Sequence, residues 1–380
     1  MIENEPEAET GISSTLIEEL DFTQDEIDEQ QEVDPTPGRV AYTSTDFDVE
    51  GLVRRLGRND IVIPTFGEES PDDVQIETAR FQRPSVWTKV QMDRFIESLL
   101  LGYPIPGIFL VQQRDKRYLV LDGQQRLRTL AAFYEGIAHK KEFSLQHVGS
   151  EFKGLTYKKL SGEQRRSLDS TFIQATIVQT DASQTSLDAV YQVFERLNTG
   201  GTQLTPHEIR IALYAGPMMD WLTLLNNVTS WRGLYGPPAR HLRDQELILR
   251  IVALVVSPGT YKRPLKKFLN DFLSAHRTMT DISPDDLEER FTKAADLLLS
   301  GPGAGVLRPG GNAVNAALTE ALFVGLMRAL EIRDFSPKEI ADASSRLALS
   351  PDLSNATQRA TADEESVRRR LAIVTEAFLG

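Results

Sequence analysis

The apolar positions set out a mixed fold followed by a helical one. Phe95, Ile96, Leu99 and Leu100 share one stripe at helical spacing, which predicts a helix over about 89–101, stopped by Gly102-Tyr103-Pro104. Two strand-like runs follow, 107–112 and 117–121, with a turn at 113–116, and the second ends at Asp122-Gly123 before a helical stretch over 124–134. Residues 172–180 (FIQATIVQT) alternate like a strand. A helix over 186–197 then closes at Asn198-Thr199-Gly200-Gly201. Ahead of residue 89 only short extended pieces stand out, at 61–64 and 81–84.

Thr205-Pro206-His207-Glu208 carries a capping box, with Thr at the N-cap, Pro at the first helical position and Glu at the third. Beyond it the period is helical throughout. Helices are expected near 217–227, 243–256, 263–275, 284–299, 312–331, 336–348 and 361–378, interrupted by the Gly/Pro-rich stretch 301–311. The fold class is therefore α+β: a mixed domain over 39–205, then an all-α domain over 206–380. The breaker cluster Asp34-Pro35-Thr36-Pro37-Gly38 separates residues 1–38 from both. A length of 380 residues agrees with about two domains.

Charge changes the picture of that leader. Residues 1–38 hold 13 acids and no Lys or Arg; taking those from the 55 acids of the chain leaves 42, equal to the 42 Lys and Arg. The body is neutral, and the net −13 belongs to the leader. A disordered, solvated tail is one reading of such a segment. The other is an acidic arm that docks on a basic face and competes with nucleic acid for it. With no cysteine, the chain has no disulfide framework, thiolate metal site or thiol nucleophile. No apolar run reaches the ~18 residues of a membrane span, and MIENEPEAET lacks a basic n-region. A soluble, cytoplasmic protein without a membrane partner is expected.

Several chemistries have no motif: there is no phosphate loop of the G-x-x-x-x-G-K-[ST] type, no G-x-G-x-x-G and no H-E-x-x-H. The histidines, His139, His147, His207, His241 and His276, are scattered. The informative segment is Asp122-Gly123-Gln124-Gln125-Arg126. A strand delivers Asp122, Gly123 turns the backbone, and the first amides of the next helix are left without intrahelical partners, an arrangement that suits phosphate. Arg126 reaches the same anion from the first turn, Asp122 suits Mg²⁺ beside a phosphate, and Gln124 and Gln125 suit a water or a base edge. The alternative is that Asp122 is a helix N-cap and Arg126 a surface cation. Two further clusters are open to both structural and ligand roles: Arg80-Phe81-Gln82-Arg83 with Trp87, and Phe194-Glu195-Arg196-Leu197-Asn198-Thr199-Gly200-Gly201.

In this order the three clusters resemble the N-terminal domain of GmrSD-type restriction endonucleases, a family distantly similar to the ParB/sulfiredoxin-like fold. The resemblance covers about residues 55–215. It implies a ParB-like, nucleotide-binding and nucleotide-hydrolysing domain in a DNA restriction or antiphage defence system. Gly123, Gln124, Arg126, Gln82, Arg83, Asn198 and Gly201 are implied to hold a nucleoside triphosphate. Asp122, Gln125 and Arg126 are implied to act in hydrolysis, with Asp122 on Mg²⁺. DNA, modified or of phage origin, is the implied partner, along with a separate nuclease subunit or a second copy of the chain. Full-length enzymes of this type continue into a histidine-dependent HNH nuclease, and no such constellation follows residue 205. A non-hydrolysing nucleotide- or DNA-binding regulator of a partner nuclease is the alternative, and a self-contained nuclease the third reading. Glu195 is a base candidate if its helix ends at the pocket. Of the basic stretches, 261–267 (YKRPLKK) suits phosphate better than the arginines 368–370, and a merely solvated face is the alternative for both.

Overall fold

A computed structural model describes residues 39–64, 87–138, 140–181, 183–197, 204–358 and 361–380. The acidic leader, Phe81-Gln82-Arg83 and the Asn198–Gly201 segment lie outside the described residues.

Strand β1 (Ala41–Asp48) runs into helix α1 (Val49–Gly57), whose start is capped by the Asp48 carboxylate accepting from Gly51 N at 2.7 Å. Strand β2 (Ile61–Val62) follows. Helix α2 (Lys89–Leu100) begins with a reciprocal capping box between Thr88 and Gln91. Then come β3 (Ile108–Gln112), β4 (Tyr118–Asp122), α3 (Gln124–Glu135), a small hairpin of β5 (Ile137–Ala138) and β6 (Lys141–Glu142), α4 (Gly162–Asp169), β7 (Phe172–Gln179) and α5 (Gln184–Leu197). The helical half holds α6 (Pro206–Leu213), α7 (Pro217–Asn226), α8 (Thr229–Tyr235), α9 (Arg243–Val256), α10 (Leu265–His276), α11 (Pro284–Ser300), α12 (Ala316–Leu330), α13 (Pro337–Ala348), α14 (Pro351–Gln358) and α15 (Glu364–Leu379). The α+β class and the all-helical continuation are as the apolar pattern predicts. It misses β1, α1, the β5–β6 hairpin, α4, α8 and α14. β1 is exposed at Ala41 through Asp46 and so has no inward apolar set, and the four helices are only two turns or so long.

The five-stranded sheet has the order β1-β7-β3-β4-β2. β1 pairs antiparallel with β7, β7 parallel with β3, β3 antiparallel with β4, and β4 parallel with β2. The rings of Phe47 on β1 and Tyr118 on β4 nevertheless meet edge to face at 6.4 Å. Three strand spacings of about 4.8 Å would separate them in a flat sheet, so the sheet is strongly curved.

Each sheet face supplies a different core. Ile108, Leu110, Val120, Ile173, Ala175 and Ile177 point toward α1, α2 and α3. Val111, Leu119, Leu121 and Val178 point the other way, onto α5, and join an apolar cluster that continues through the helices to Phe378. The sheet is therefore the shared wall between the two halves, and the cluster crosses residue 205 without a break. No described helix is long and apolar enough to cross a membrane.

The helical half also buries charge. Arg370, 3% exposed, donates to Glu320 Oε1 at 2.5 Å, and Arg250 donates to Glu246 Oε1 at 2.5 Å. Burial alone would raise the Glu246 carboxyl, but the Arg250 and Arg210 guanidinium groups hold it below its ordinary range. His207 is fully buried beside them; its Nε2 lies 3.1 Å from Gln245 Oε1, and its Nδ1 has no partner among the described residues. Desolvation pushes this imidazole down to about 4 from 6.5. A depressed histidine pKa contributes stability that is fully present above pH 6.5 and is lost as pH falls toward 4. From the tenfold-per-unit relation the loss reaches about 3 kcal/mol. Denaturant unfolding of wild type and His207→Gln across pH 7 to 4 is expected to show a difference that shrinks by that order over this window.

Candidate functional site

The site is built on the β4–α3 turn. Asp122 ends β4 opposite Phe109 of β3, beside a register shift between Phe109 and Leu110. Gly123 takes φ +96°, in the left-handed region, and is the N-cap of α3 without any side-chain cap bond. A Cβ built on it would lie 2.5 Å from Ile108 Cγ2 and 3.3 Å from Arg126 Nη2. Two constraints thus demand glycine: the backbone sign and the close approach of β3. The turn sends the chain directly into α3, so its first amides are left for a ligand or water.

Arg126 sits one turn in. Its Nη2 donates to Asp122 Oδ2 at 2.7 Å, its side chain is 12% exposed, and its Nε is buried without a partner among the described residues. This geometry sets aside the reading of a helix cap and a surface cation. Asp122 is not the helix cap, since Gly123 is, and Arg126 is not a surface cation. A guanidinium aligned by a carboxylate, with one N–H still to be satisfied beside a helix start, is suited to an oxyanion. Gln124 and Gln125 are half-buried on the same first turn, and Arg128 Nη2 donates to Pro64 O at 2.9 Å.

Among the described residues there is no all-protein Mg²⁺ cage, since no group of three or more His, Asp or Glu side chains gathers there; the expected arrangement is one carboxylate beside a bound phosphate. The carboxylate of this turn, Asp122, is engaged by Arg126. The described histidines have structural company: His147 and Asp93, His207 and Gln245, His241 and Glu208, His276 and Asp281.

The other predicted residues separate into two groups. Gln82, Arg83, Asn198 and Gly201 lie outside the described residues. Trp87 packs edge to face on Phe95 with centroids 5.4 Å apart, a core role. Glu195 is tied to Lys266, whose Nζ lies 3.0 Å from Oε1. The 261–267 stretch is likewise corrected. Lys266 is buried against Glu195, Lys267 bridges Asp188 and Asp271, and Arg263 lies 3.7 Å from Asp363, so internal carboxylates neutralise much of it. Ile108, which fixes the turn from the neighbouring strand, was missed; its only sequence signal is its place in a strand.

Residues 67–215 match the family model described as GmrSD restriction endonuclease, N-terminal domain. That stretch of the chain is similar to this domain. The match contains the whole Asp122–Arg126 turn together with α2 through α6, and it supports a component of a restriction or defence system that interacts with DNA. No curated protein and no solved structure matches the chain.

Two glycines separate conformation from crowding. Gly136 ends α3 at φ +80°, with nothing within 4 Å of a built Cβ, whereas Gly123 meets Ile108. Gly136→Ala is expected to cost about 1–2 kcal/mol for the left-handed backbone. Gly123→Ala is expected to cost about 1–3 kcal/mol more for overpacking. Chemical denaturation of the two variants measures the difference.

Proposed function

We propose that this chain is the nucleotide-dependent component of a DNA restriction or antiphage system, with nucleoside triphosphate phosphates bound at the Asp122–Arg126 turn. The observation that carries this reading is the buried Nε of Arg126, without a partner among the described residues, beside the uncapped start of α3. Arg126 binds the phosphate oxygens through Nε and an Nη, the first α3 amides add neutral donors, and Asp122 fixes the guanidinium plane. Gln124 and Gln125 lie on the same turn, where a water or base edge is within their chemistry. Gln82, Arg83, Asn198 and Gly201 join through the family resemblance alone. Charge accumulating on a phosphoryl group would be stabilised by Arg126, which is the electrostatic route to hydrolysis.

A second reading, a nucleotide clamp without turnover that controls a separate nuclease, is favoured by one observation. Glu195 is held by Lys266. Neither glutamine can take a proton from water, and the one carboxylate of the turn, Asp122, is paired with Arg126.

Nucleotide binding and phosphate release on wild type and Arg126→Ala, with and without Mg²⁺ and DNA, test both. Loss of a charge-assisted pair predicts affinity lower by roughly 10- to 100-fold in Arg126→Ala. Release abolished by the substitution supports hydrolysis, and binding without release supports the clamp. Absence of nucleotide binding by the wild type overturns both.

Asp122→Asn checks the positioning role. The amide keeps the shape and one acceptor, so it is expected to retain more affinity than Asp122→Ala in the same titration.

A further inference from the structure

Both halves of the chain hold paired and unpaired cations, and around α4 three exposed ones lie close together along the chain. In the helical half Lys266, Lys267, Arg290 and Arg370 each contact carboxylates within the chain. Near α4 the pattern is the opposite. Lys158, Lys159 and Arg166 are exposed, and none has a carboxylate partner among the described residues. Arg165 ties this group together, with its guanidinium 5.2 Å from the Tyr157 ring centroid and its Nη2 donating to Lys158 O at 3.0 Å.

The support beneath these cations is rigid. Tyr134 and Tyr157 stack at 4.0 Å, and both hydroxyls donate to Asp169 Oδ1, at 2.5 and 3.0 Å. Asp169 of α4 is therefore occupied by tyrosines, and the other carboxylate of that helix, Glu163, is exposed in its first turn and forms no ion pair with these cations among the described residues. Helix α1 packs against α4, and Val49 N donates to Thr171 O at 3.0 Å. The charge of Glu50 in its first turn bears on Tyr157. Helical spacing then places Arg54 and Arg58, both exposed, on the stripe that starts at Glu50.

We infer that the surface formed by Lys158, Lys159 and Arg166, extended by Arg54 and Arg58 of α1, takes the phosphate backbone of duplex DNA. Unpaired, solvated Lys and Arg held on a stiff support give binding through counterion release without base readout. The unpaired state matters, because a cation already neutralised by an internal carboxylate releases little on contact. The inference rests on the reading of this chain as a DNA-directed restriction component. It assigns the contact to the α1–α4 face rather than to the basic stretch at 261–267.

The test is duplex DNA binding at several salt concentrations by the full chain. It compares wild type, Lys158→Glu/Lys159→Glu/Arg166→Glu, and a control with the same change in net charge, Lys262→Glu/Lys338→Glu/Arg368→Glu. All six positions are exposed. The α4-face variant is expected to bind more than tenfold more weakly at low salt, with the slope of log K against log salt smaller by about 3. The control is expected to keep the wild-type slope. An equal loss in both variants overturns the assignment, as does absence of DNA binding by wild type at low salt. So does a result in which the α4-face substitutions abolish binding of a peptide of residues 1–38 and leave DNA binding unchanged, which would make the leader the partner. Nucleotide binding measured on the same variants keeps the two readings separable: it is expected to be unchanged by the α4-face substitutions whether or not DNA binding is lost.

Discussion

Everything at the β4–α3 turn depends on one close approach. Ile108 of β3 lies where a side chain at position 123 would be, and the backbone there has a positive φ. Only glycine satisfies both conditions, and with glycine in place the chain reverses within a single residue. Asp122 then ends a strand while Arg126 begins a helix close enough to pair with it. Loosening that packing would change the distance between carboxylate and guanidinium and the direction of the first α3 amides together. The orphan Nε of Arg126 is a consequence, because the same packing that excludes water from it leaves it without a partner.

The sheet connects this turn to the rest of the molecule. Its strands alternate between two cores, so Val120 faces α3 while its neighbours Leu119 and Leu121 face α5 and the helices beyond. Helix α5 is in turn fastened to α10 by charge. Asp188 and Glu195, two turns apart on one side of α5, meet Lys267 and Lys266. Lys266 is buried at 5% residue exposure, so this contact is shielded from solvent more than a surface pair would be. The Asn198–Gly201 segment follows directly from the helix held this way. An ionic and apolar contact thus joins the mixed half to the helical half at the point where the family motif ends.

The buried polar residues of the helical half follow a consistent pattern. Each carboxylate that goes inside does so with a cation or donor, as Glu320 with Arg370 and Asp244 with Asn226 and Arg232. His207 instead enters as a neutral ring, because complete burial disfavours the charged imidazole, and the Arg210 guanidinium adds to that. Such arrangements make the interior sensitive to acid.

Much was legible in the chain itself. Helical period over long apolar stretches fixed α9 at its full length and most other helices to within a few residues, because burial of one face is written directly into residue spacing. The Asp122–Arg126 motif was legible for a similar reason, since glycine after a strand and before a helix encodes a backbone conformation locally. Short elements such as α4 and the exposed β1 were not legible, as neither carries enough apolar residues to show a period. Tertiary structure alone decided the state of each charge. Nothing in the sequence of 261–267 distinguishes Lys266, sealed against Glu195 from another helix, from Lys158, which has no carboxylate partner among the described residues. Pairing depends on which distant acid the fold brings within reach, and that distance is set by packing rather than by neighbours in the chain.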